Sequence, residues 1–247
     1  LGNPRAQVII ADARHFLGSS IRHFDVITTD PIHPADANSN NLYSLEFYHI
    51  AARALKKSGL MCQWLPAADL APKEIRRVIA TFSKAFSHVS LWIPNMSDLA
   101  LIGSNEPVSI NLEFISKRIQ NPATRRVLSR HMDNVSVADL VALWGLGDEA
   151  LRKWSANTPL NTDDKPILEY EAPKNLWNPS NLPNLFVEIN QYWPIAAAEL
   201  DKMIHSPDND NLRTEIEDSL AVYHDAIIRQ TAELLRDWCL QLEAQNA

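Results

Sequence analysis

The first hundred residues alternate short apolar runs with helical patterns, and this alternation restricts the fold more than any other feature. Residues 7–12, 24–30 and 60–65 are β-rich apolar runs, whereas residues 44–57 and 72–86 carry apolar side chains at helical spacing. Strands that alternate with helices indicate βαβ units and a mostly parallel sheet. The near-continuous apolar centre of residues 24–30 is typical of a strand covered on both faces. We therefore predict an α/β fold.

Two further strands are predicted at the end of this region. Residues 89–93 and 99–103 are apolar and are joined by the turn-forming segment 94–98. Two strands with a short polar connection favour an antiparallel pair. We expect this pair to lie at an edge of the sheet.

The remainder of the chain is predicted to be mostly helical. We divide the sequence into a sheet domain (1–110), a helical insertion with an extended return segment (111–174) and a helical tail (175–247). The return segment includes a strand-like apolar run. The tail contains two predicted helices, residues 185–204 and 211–244.

Two of the predicted strands end on a carboxylate. Asp12 and Asp30 should face one crevice, because ligands of such sheets bind beyond the carboxyl ends of the strands. Asp30, fixed by Pro31, suits a general base, although an Asp at this position also caps turns. Asp12 is either an acceptor for the exocyclic amine of a nucleotide or the N-cap of the next helix. These two roles are compatible.

Other polar residues near the crevice are candidates for substrate binding. His33 is either a substrate-orienting or proton-carrying residue or an ordinary loop residue. Tyr43 and Gln63 are predicted to border the crevice, whereas Tyr48 is expected in the core. Residues 161–164 are best explained as a structural turn. No second His or acid stands at metal-ligand spacing, so no metal site is predicted.

Composition excludes several classes of function. The formal net charge of −7 argues against a nucleic-acid binder, which needs a clustered basic surface. No apolar run approaches the roughly 18 residues that span a bilayer. Cys62 and Cys239 are far apart and form no C-x-x-C pattern, which fits a reducing compartment. A small cationic substrate would suit the acidic balance.

Four segments follow one another in a distinctive order: VIIADARHFL (8–17), FDVITTDPIHP (24–34), NLYSLEFYHIAARALKKSGLMCQWLP (41–66) and DLALIGS (98–104). A fifth segment, NTDDKPILEY (161–170), follows later in the chain and fits the same pattern more loosely. This order resembles the polyamine aminopropyltransferases, the spermidine synthase family. The resemblance covers about residues 4–104 and is closest to bacterial spermidine synthase-like proteins.

The resemblance implies a Rossmann-like sheet of the class I methyltransferase type, present in part, with a C-terminal helical appendage. It also implies transfer of an aminopropyl group from decarboxylated S-adenosylmethionine, a co-substrate rather than a tightly bound cofactor, to a small cationic amine. Asp30 then matches the proton acceptor of the family, and Asp12 with Ala13 matches the pair that holds the adenine. His33, Tyr43 and Gln63 are assigned to the amine.

The sequence departs from the family pattern in three places. His33 stands where the synthases carry a second acid that grips the amine, and residues 94–98 replace a tyrosine-bearing stretch. The glycine-rich loop and the ribose-binding acid have no counterpart before Asp12. We therefore expect the chain to be the C-terminal part of a longer protein, in some relatives of which a membrane segment lies upstream.

Two alternatives to aminopropyl transfer stay open. One is a methyltransferase on the same scaffold that uses S-adenosylmethionine itself, and the other is a degenerate domain that binds a partner. A homodimer is a further possibility. The predicted localisation is cytoplasmic, either free or tethered to the membrane through an upstream segment.

Overall fold

The computed structural model describes residues 4–30, 33–176, 178–205 and 210–245. The helices are α1 (Ala13–Ser19), α2 (Leu45–Ala54), α3 (Pro72–Ala85), α4 (Leu112–Gln120), α5 (Pro122–Leu128), α6 (Val137–Ala142), α7 (Asp148–Trp154), α8 (Ile167–Glu171), α9 (Asn181–Asn190), α10 (Trp193–Met203) and α11 (Asp210–Gln245). The strands are β1 (Phe24–Thr29), β2 (Leu55–Pro66), β3 (His88–Trp92), β4 (Asp98–Ser104), β5 (Ile110–Asn111), β6 (Trp144–Leu146) and β7 (Ile204–His205). Two 3-10 turns cover Ser39–Leu42 and Ala172–Asn175.

The main sheet has five strands in the order β1-β2-β4-β3-β6, which confirms the predicted α/β class. The pair β1–β2 is parallel, with α2 in the crossover, whereas the three other pairs are antiparallel. The described sheet is thus mixed rather than mostly parallel. The reason is the length of the connections, because the five residues between β3 and β4 allow only an antiparallel hairpin.

The hairpin of β3 and β4 was correctly predicted as antiparallel. It does not lie at the edge, because β6 pairs with the outer side of β3 through Leu91 and Leu146. Strand β6 is too short to be recognised from its three residues. Strand β4 instead lies between β2 and β3, where Leu99 and Leu101 are completely buried.

Residues 7–12 do not form the predicted strand. They are extended coil followed by a bend, and Val8, Ile9 and Ile10 are 60%, 47% and 99% exposed. A strand persists only when a neighbour completes its ladder of hydrogen bonds. No described strand lies beside these residues, so apolar composition alone does not produce a strand here.

The core packs α2 and α3 against the sheet. Tyr48 contacts Phe82 edge to face at 4.9 Å, and Phe82 stacks at a tilt on Phe86 at 4.5 Å between ring centres. Helix α2 begins where the Ser44 hydroxyl accepts the N–H of Phe47. The position of α2 therefore fixes the loop that precedes it.

The C-terminal half is helical, as predicted, with two local differences. The strand-like run after residue 164 is the short helix α8. The helix predicted over 185–204 is two helices, α9 and α10, because Pro194 lacks the N–H that a continuous helix needs. Among the described residues, no helix combines the length and the apolar character required to cross a membrane.

The domain boundaries at residues 110 and 174 stay predictions. Contacts cross both of them, because β6 joins the main sheet and β5 pairs with β7. The Trp144 indole N–H also donates to the Ala196 carbonyl at 3.2 Å.

The substitution Gly103→Ala is expected to destabilise the fold by about 1–3 kcal/mol, because overpacking a core forces neighbours to move. A Cβ at Gly103 would lie 2.5 Å from the ring of Phe82 and 2.7 Å from that of Phe86. The measurement is chemical denaturation of both proteins. Gly18→Ala is the control. Gly18 lies within helix α1, and its added Cβ would lie 3.8 Å from Ile50, an ordinary contact distance. Because alanine is favoured over glycine inside a helix, the free energy of unfolding should rise by about 0.5–1 kcal/mol. Equal changes in the free energy of unfolding of the two variants would contradict the packing explanation.

Candidate active site

The carboxyl ends of the parallel strands β1 and β2 lie side by side, and the edge of the sheet meant here is the one formed by these strand ends, not by an outer strand. Thr29 is paired with Gln63, and Asp30 follows directly. Asp30 is exposed and makes no hydrogen bond with the described residues. Its carboxylate is therefore accessible at the edge where the sequence predicts it. Pro31, predicted to stiffen this position, lies outside the described residues.

Tyr43, in the loop before α2, is completely buried. Its hydroxyl has no hydrogen-bond partner among the described residues. Burial raises the pKa of this hydroxyl far above its usual range, and the negative charge of Asp30 raises it further.

Tyr48 and Gln63 form a buried, hydrogen-bonded pair. The Tyr48 hydroxyl donates to Gln63 Oε1 at 3.3 Å, and Gln63 Nε2 donates to the carbonyl of Trp64 at 3.0 Å. Burial raises the pKa of Tyr48 well above its usual range, with a smaller contribution from Tyr43. The expectation that Tyr48 belongs to the core is confirmed, and Gln63 is equally buried.

His33 faces an acid that the sequence analysis missed. Its Nδ1 accepts the N–H of Ala35 at 3.1 Å, so in the neutral ring the proton is on Nε2. Nε2 is 3.4 Å from Oδ2 of Asp69, longer than a well-formed hydrogen bond. Asp69 lies beyond the end of β2, so both groups belong to the same edge as Asp30.

Asp98 also lies at this edge, but its carboxylate is committed to structure. Its two oxygens accept from Trp64 Nε1 at 2.8 Å and from Asn95 Nδ2 at 3.2 Å. The segment 94–98 is thus closed by its own polar side chains. Trp64 is fixed by the same contact.

Asp12 caps α1, which confirms one of its two predicted roles. Its Oδ1 accepts the N–H of His15 at 2.6 Å. Asp12 borders a shallow surface cleft of about 420 Å³ that also touches Arg14 and Ile50. Ala13 is exposed at the first position of the helix. Contact with a nucleotide stays a prediction for both residues.

Asn161 is a buried connector, which agrees with a structural role for the segment 161–164. Its Nδ2 donates to Asn40 Oδ1 at 2.6 Å and to the carbonyl of Tyr43 at 3.1 Å, while its Oδ1 accepts the N–H of Leu168 at 3.0 Å. Its backbone N–H donates to Thr81 Oγ1 at 3.0 Å. Through its side chain and its backbone, this one residue therefore joins three separate segments.

Arg14 and Asp163 form a bidentate ion pair that links α1 to this connector. Arg14 Nη1 lies 2.9 Å from Oδ1 and Nη2 lies 2.5 Å from Oδ2. The guanidinium lowers the pKa of Asp163 below its usual range. The pair is half-exposed, so it positions α1 more than it stabilises the fold. The sequence contains both residues but no local signal that pairs them.

The remaining cavities lie elsewhere. One of them, of about 540 Å³, touches His88 and Ser104 at the opposite end of the sheet, and none of the predicted site residues lines it. The described residues contain no group of three or more His, Cys, Asp or Glu placed to hold a metal ion. The candidate site is therefore the edge that carries Asp30, His33 and Asp69.

The fold and this edge define an α/β protein with carboxylates at the carboxyl ends of a parallel strand pair. Residues 1–100 match the model of the spermine/spermidine synthase domain. This match confirms, for residues 1–100, the resemblance to the family that the motifs suggest.

Two curated relatives carry names from the same family. The polyamine aminopropyltransferase of Mycobacterium tuberculosis (strain ATCC 25618 / H37Rv) is 38% identical over a region that covers 50% of this chain and 27% of the relative. Polyamine aminopropyltransferase 1 of Streptomyces coelicolor is 29% identical over 41% of this chain and 20% of the relative. The matched region thus spans about a quarter of the length of these relatives.

A solved structure shows a weaker likeness. The crystal structure of a probable spermidine synthase from Corynebacterium glutamicum ATCC 13032 has a TM-score of 0.46 and 19% identity, and the match covers 65% of this chain and 55% of that chain.

Asn161→Ala is expected to cost about 2–4 kcal/mol, because it removes three side-chain hydrogen bonds and leaves buried groups unpaired. Thermal and chemical denaturation would measure the loss. Asp164→Ala, three residues further along the same segment and exposed, is the matched control and should change stability by less than about 0.5 kcal/mol. Equal stability of the two variants would show that Asn161 is not a connector.

Proposed function

We propose that this chain takes part in aminopropyl transfer from decarboxylated S-adenosylmethionine to an amine, with Asp30 as the proton acceptor. The observation that carries this proposal is the exposed Asp30 carboxylate at the carboxyl end of β1, inside the segment that matches the synthase domain. The names of the two curated relatives support the same reaction.

The chemistry explains why a carboxylate is needed. An aliphatic amine has a pKa of about 10, so at neutral pH it is protonated and has no lone pair. Asp30 accepts the proton, and the amine nitrogen then attacks the methylene carbon next to the sulfonium. The C–N bond forms as the C–S bond breaks, and the electron pair goes to sulfur, which leaves as neutral methylthioadenosine. A positioned base contributes about 10²–10⁴-fold to the rate of such a step.

The donor is assigned to the cleft beside α1. Asp12 uses Oδ1 to cap the helix, so Oδ2 is the proposed acceptor for the exocyclic amine of adenine. Ala13 follows at the helix start, where a small side chain leaves room for the base. The proposed nucleotide contact and the observed cap use different oxygens of one carboxylate.

The acceptor amine is assigned to the edge between Asp30 and Asp69. Both carboxylates favour a cation, and His33 follows Asp30 by three residues and lies 3.4 Å from Asp69. Gln63 and Tyr43 are completely buried, so we assign them to the wall behind the amine. The cytoplasmic localisation, the homodimer and the upstream membrane tether stay predictions.

Asp30→Asn is expected to lower turnover by about 10²–10⁴-fold without weakening donor binding, because the amide keeps the shape of the side chain but accepts no proton. Mass spectrometry of the products would measure turnover with decarboxylated or ordinary S-adenosylmethionine and a panel of amines. Asp25→Asn is the matched control on the same strand, where the exposed acid pairs with Lys56 at the far end. Its turnover should be unchanged.

Three other results would contradict this proposal. Unchanged turnover in Asp30→Asn would remove Asp30 as the base. S-adenosylhomocysteine with a methylated acceptor would establish the methyltransferase alternative. The absence of product from either donor would favour the degenerate, partner-binding domain.

Asp12→Ala is expected to weaken donor binding by about 10-fold, since it removes a charged acceptor. Calorimetry would measure binding, and thermal denaturation would report the lost cap. Ser44→Ala removes a different helix cap, at α2, and should cost a similar ~1 kcal/mol of stability without affecting donor affinity. Equal affinities of the two variants would reduce Asp12 to a helix cap.

A further inference from the structure

The hairpin of β3 and β4 has two faces of different character. His88 is paired with Ser104 and Ser90 with Ile102, so the side chains of these four residues lie on one face. The other face, which includes Gly103, packs against the aromatic side chains of α3. The first face carries polar groups, although Ser90 and Ser104 are only 7% and 2% exposed. Buried hydroxyl groups of this kind need hydrogen-bond partners.

A cavity of about 540 Å³ lies against this polar face, at the end of the sheet opposite to the candidate active site. Small-molecule sites have volumes of about 300–1,000 Å³ and combine apolar walls with a few convergent polar groups. Apolar side chains form part of this wall: Ile102, Pro107, Val108 and Met203. The cavity therefore has the size and the mixed lining of a binding pocket.

The two buried hydroxyl groups each have an unused hydrogen. Ser90 Oγ accepts the indole N–H of Trp92 at 3.0 Å, and Ser104 Oγ accepts the N–H of Glu106 at 3.2 Å. Within the described part of the chain, neither hydroxyl donates a hydrogen bond. Because a hydroxyl group is a donor as well as an acceptor, both groups still lack an acceptor.

Two of the three carboxylates that line the cavity are bonded to cations. Asp148 accepts from the N–H of Val89 at 3.1 Å and from the guanidinium of Arg152 at 2.8 and 2.9 Å. Glu149 accepts from Lys153 Nζ at 2.7 Å. The negative charge of both acids is therefore already balanced by neighbours on the same helix, α7.

The third carboxylate, that of Glu199, is bonded to the first turn of α7. Its Oε1 accepts the N–H of Glu149 at 2.7 Å, and its Oε2 accepts the N–H of Ala150 at 3.2 Å. A carboxylate at the start of a helix is stabilised by the helix dipole. All three acids of the lining thus have structural partners.

Lys202 is the charged residue of the lining that has no ion pair with the described residues. Its charge contributes, after Lys153, to the lowered pKa of Glu149. The side chain of His88 also forms no hydrogen bond in this part of the structure, and its ring brings at least one N–H donor in either protonation state. The unused groups are thus chiefly donors, and a ligand that pairs with them must present acceptors.

We propose that this cavity is a binding site for a small organic carboxylate with an apolar body. The carboxylate accepts charge-assisted hydrogen bonds from Lys202 and from the hydroxyl groups of Ser90 and Ser104, and the apolar body packs on Ile102 and Met203. One cavity brings these five side chains together. The inference goes beyond the proposed function and does not depend on it, because no residue assigned to aminopropyl transfer lines the cavity.

Three probes of equal chain length and different charge test this assignment: hexanoate, hexanol and hexylamine. NMR titrations of the full chain would follow the backbone amides of residues 88–90 and 102–104. We expect hexanoate to move these signals in a saturable way, with a Kd of about 1 mM or tighter. Hexanol should move them more weakly, and hexylamine should leave them unchanged. Signals from the cavity separate this site from the proposed amine site near Asp30.

Lys202→Gln removes the charge and is expected to weaken hexanoate binding by about 10-fold, since a bond to a charged group is lost. The melting temperature should be unchanged, because Lys202 is exposed. Lys84→Gln is the matched control. It removes the same charge from an exposed lysine of α3 that does not line the cavity, so the affinity for hexanoate should be unchanged.

Three results would overturn the assignment. A larger movement of the cavity signals with hexylamine than with hexanoate would make this a site for cations, governed by its acids. Equal affinities of Lys202→Gln and Lys84→Gln for hexanoate would remove the ammonium group from the site. The absence of any movement with the three probes would show that the cavity holds water alone.

Discussion

The organisation of the candidate site depends on one buried side chain, Asn161. Its amide binds the carbonyl of Tyr43 and the N–H of Leu168, while its backbone binds the N–H of Leu45 and the hydroxyl of Thr81. The loop before α2, the core helix α3 and the short helix α8 therefore meet at one residue. Every donor and acceptor of this amide is buried and paired, which makes the junction specific.

The consequence of this junction is a buried wall next to an exposed edge. Tyr43, Tyr48 and Gln63 are completely buried, and their positions follow from the packing of α2 on β2. Asp30, in contrast, is exposed and unbonded within the described part of the chain. In the proposed function, buried and paired neighbours of this kind would support the exposed base.

Sequence patterns predicted the features that depend on local spacing. The strand end at Asp30, the helix cap at Asp12 and the core position of Tyr48 were all correct, because each follows from a periodicity or a cap signal within a few residues. The strand predicted over 7–12 was wrong, since a strand also depends on a neighbour that the pattern does not contain. The run that became α8 has the same composition as a strand, and packing on α3 decides its form.

The contacts that complete the site join residues far apart in the chain, so no local pattern indicates them. Arg14 pairs with Asp163 across 149 residues, and His33 meets Asp69 across 36.

The second of these contacts bears on the departure from the family pattern. The resemblance places His33 where the synthase motif has an acid, so the sequence alone indicates the loss of a negative charge from the proposed amine site. In the folded chain the Asp69 carboxylate lies 3.4 Å from that histidine, so a negative charge is present at the position although the motif has lost it. The loss of an acid from the motif therefore does not by itself show that this position lacks a negative charge. An acid from a distant segment of the chain, Asp69, lies beside the histidine that replaces the motif acid.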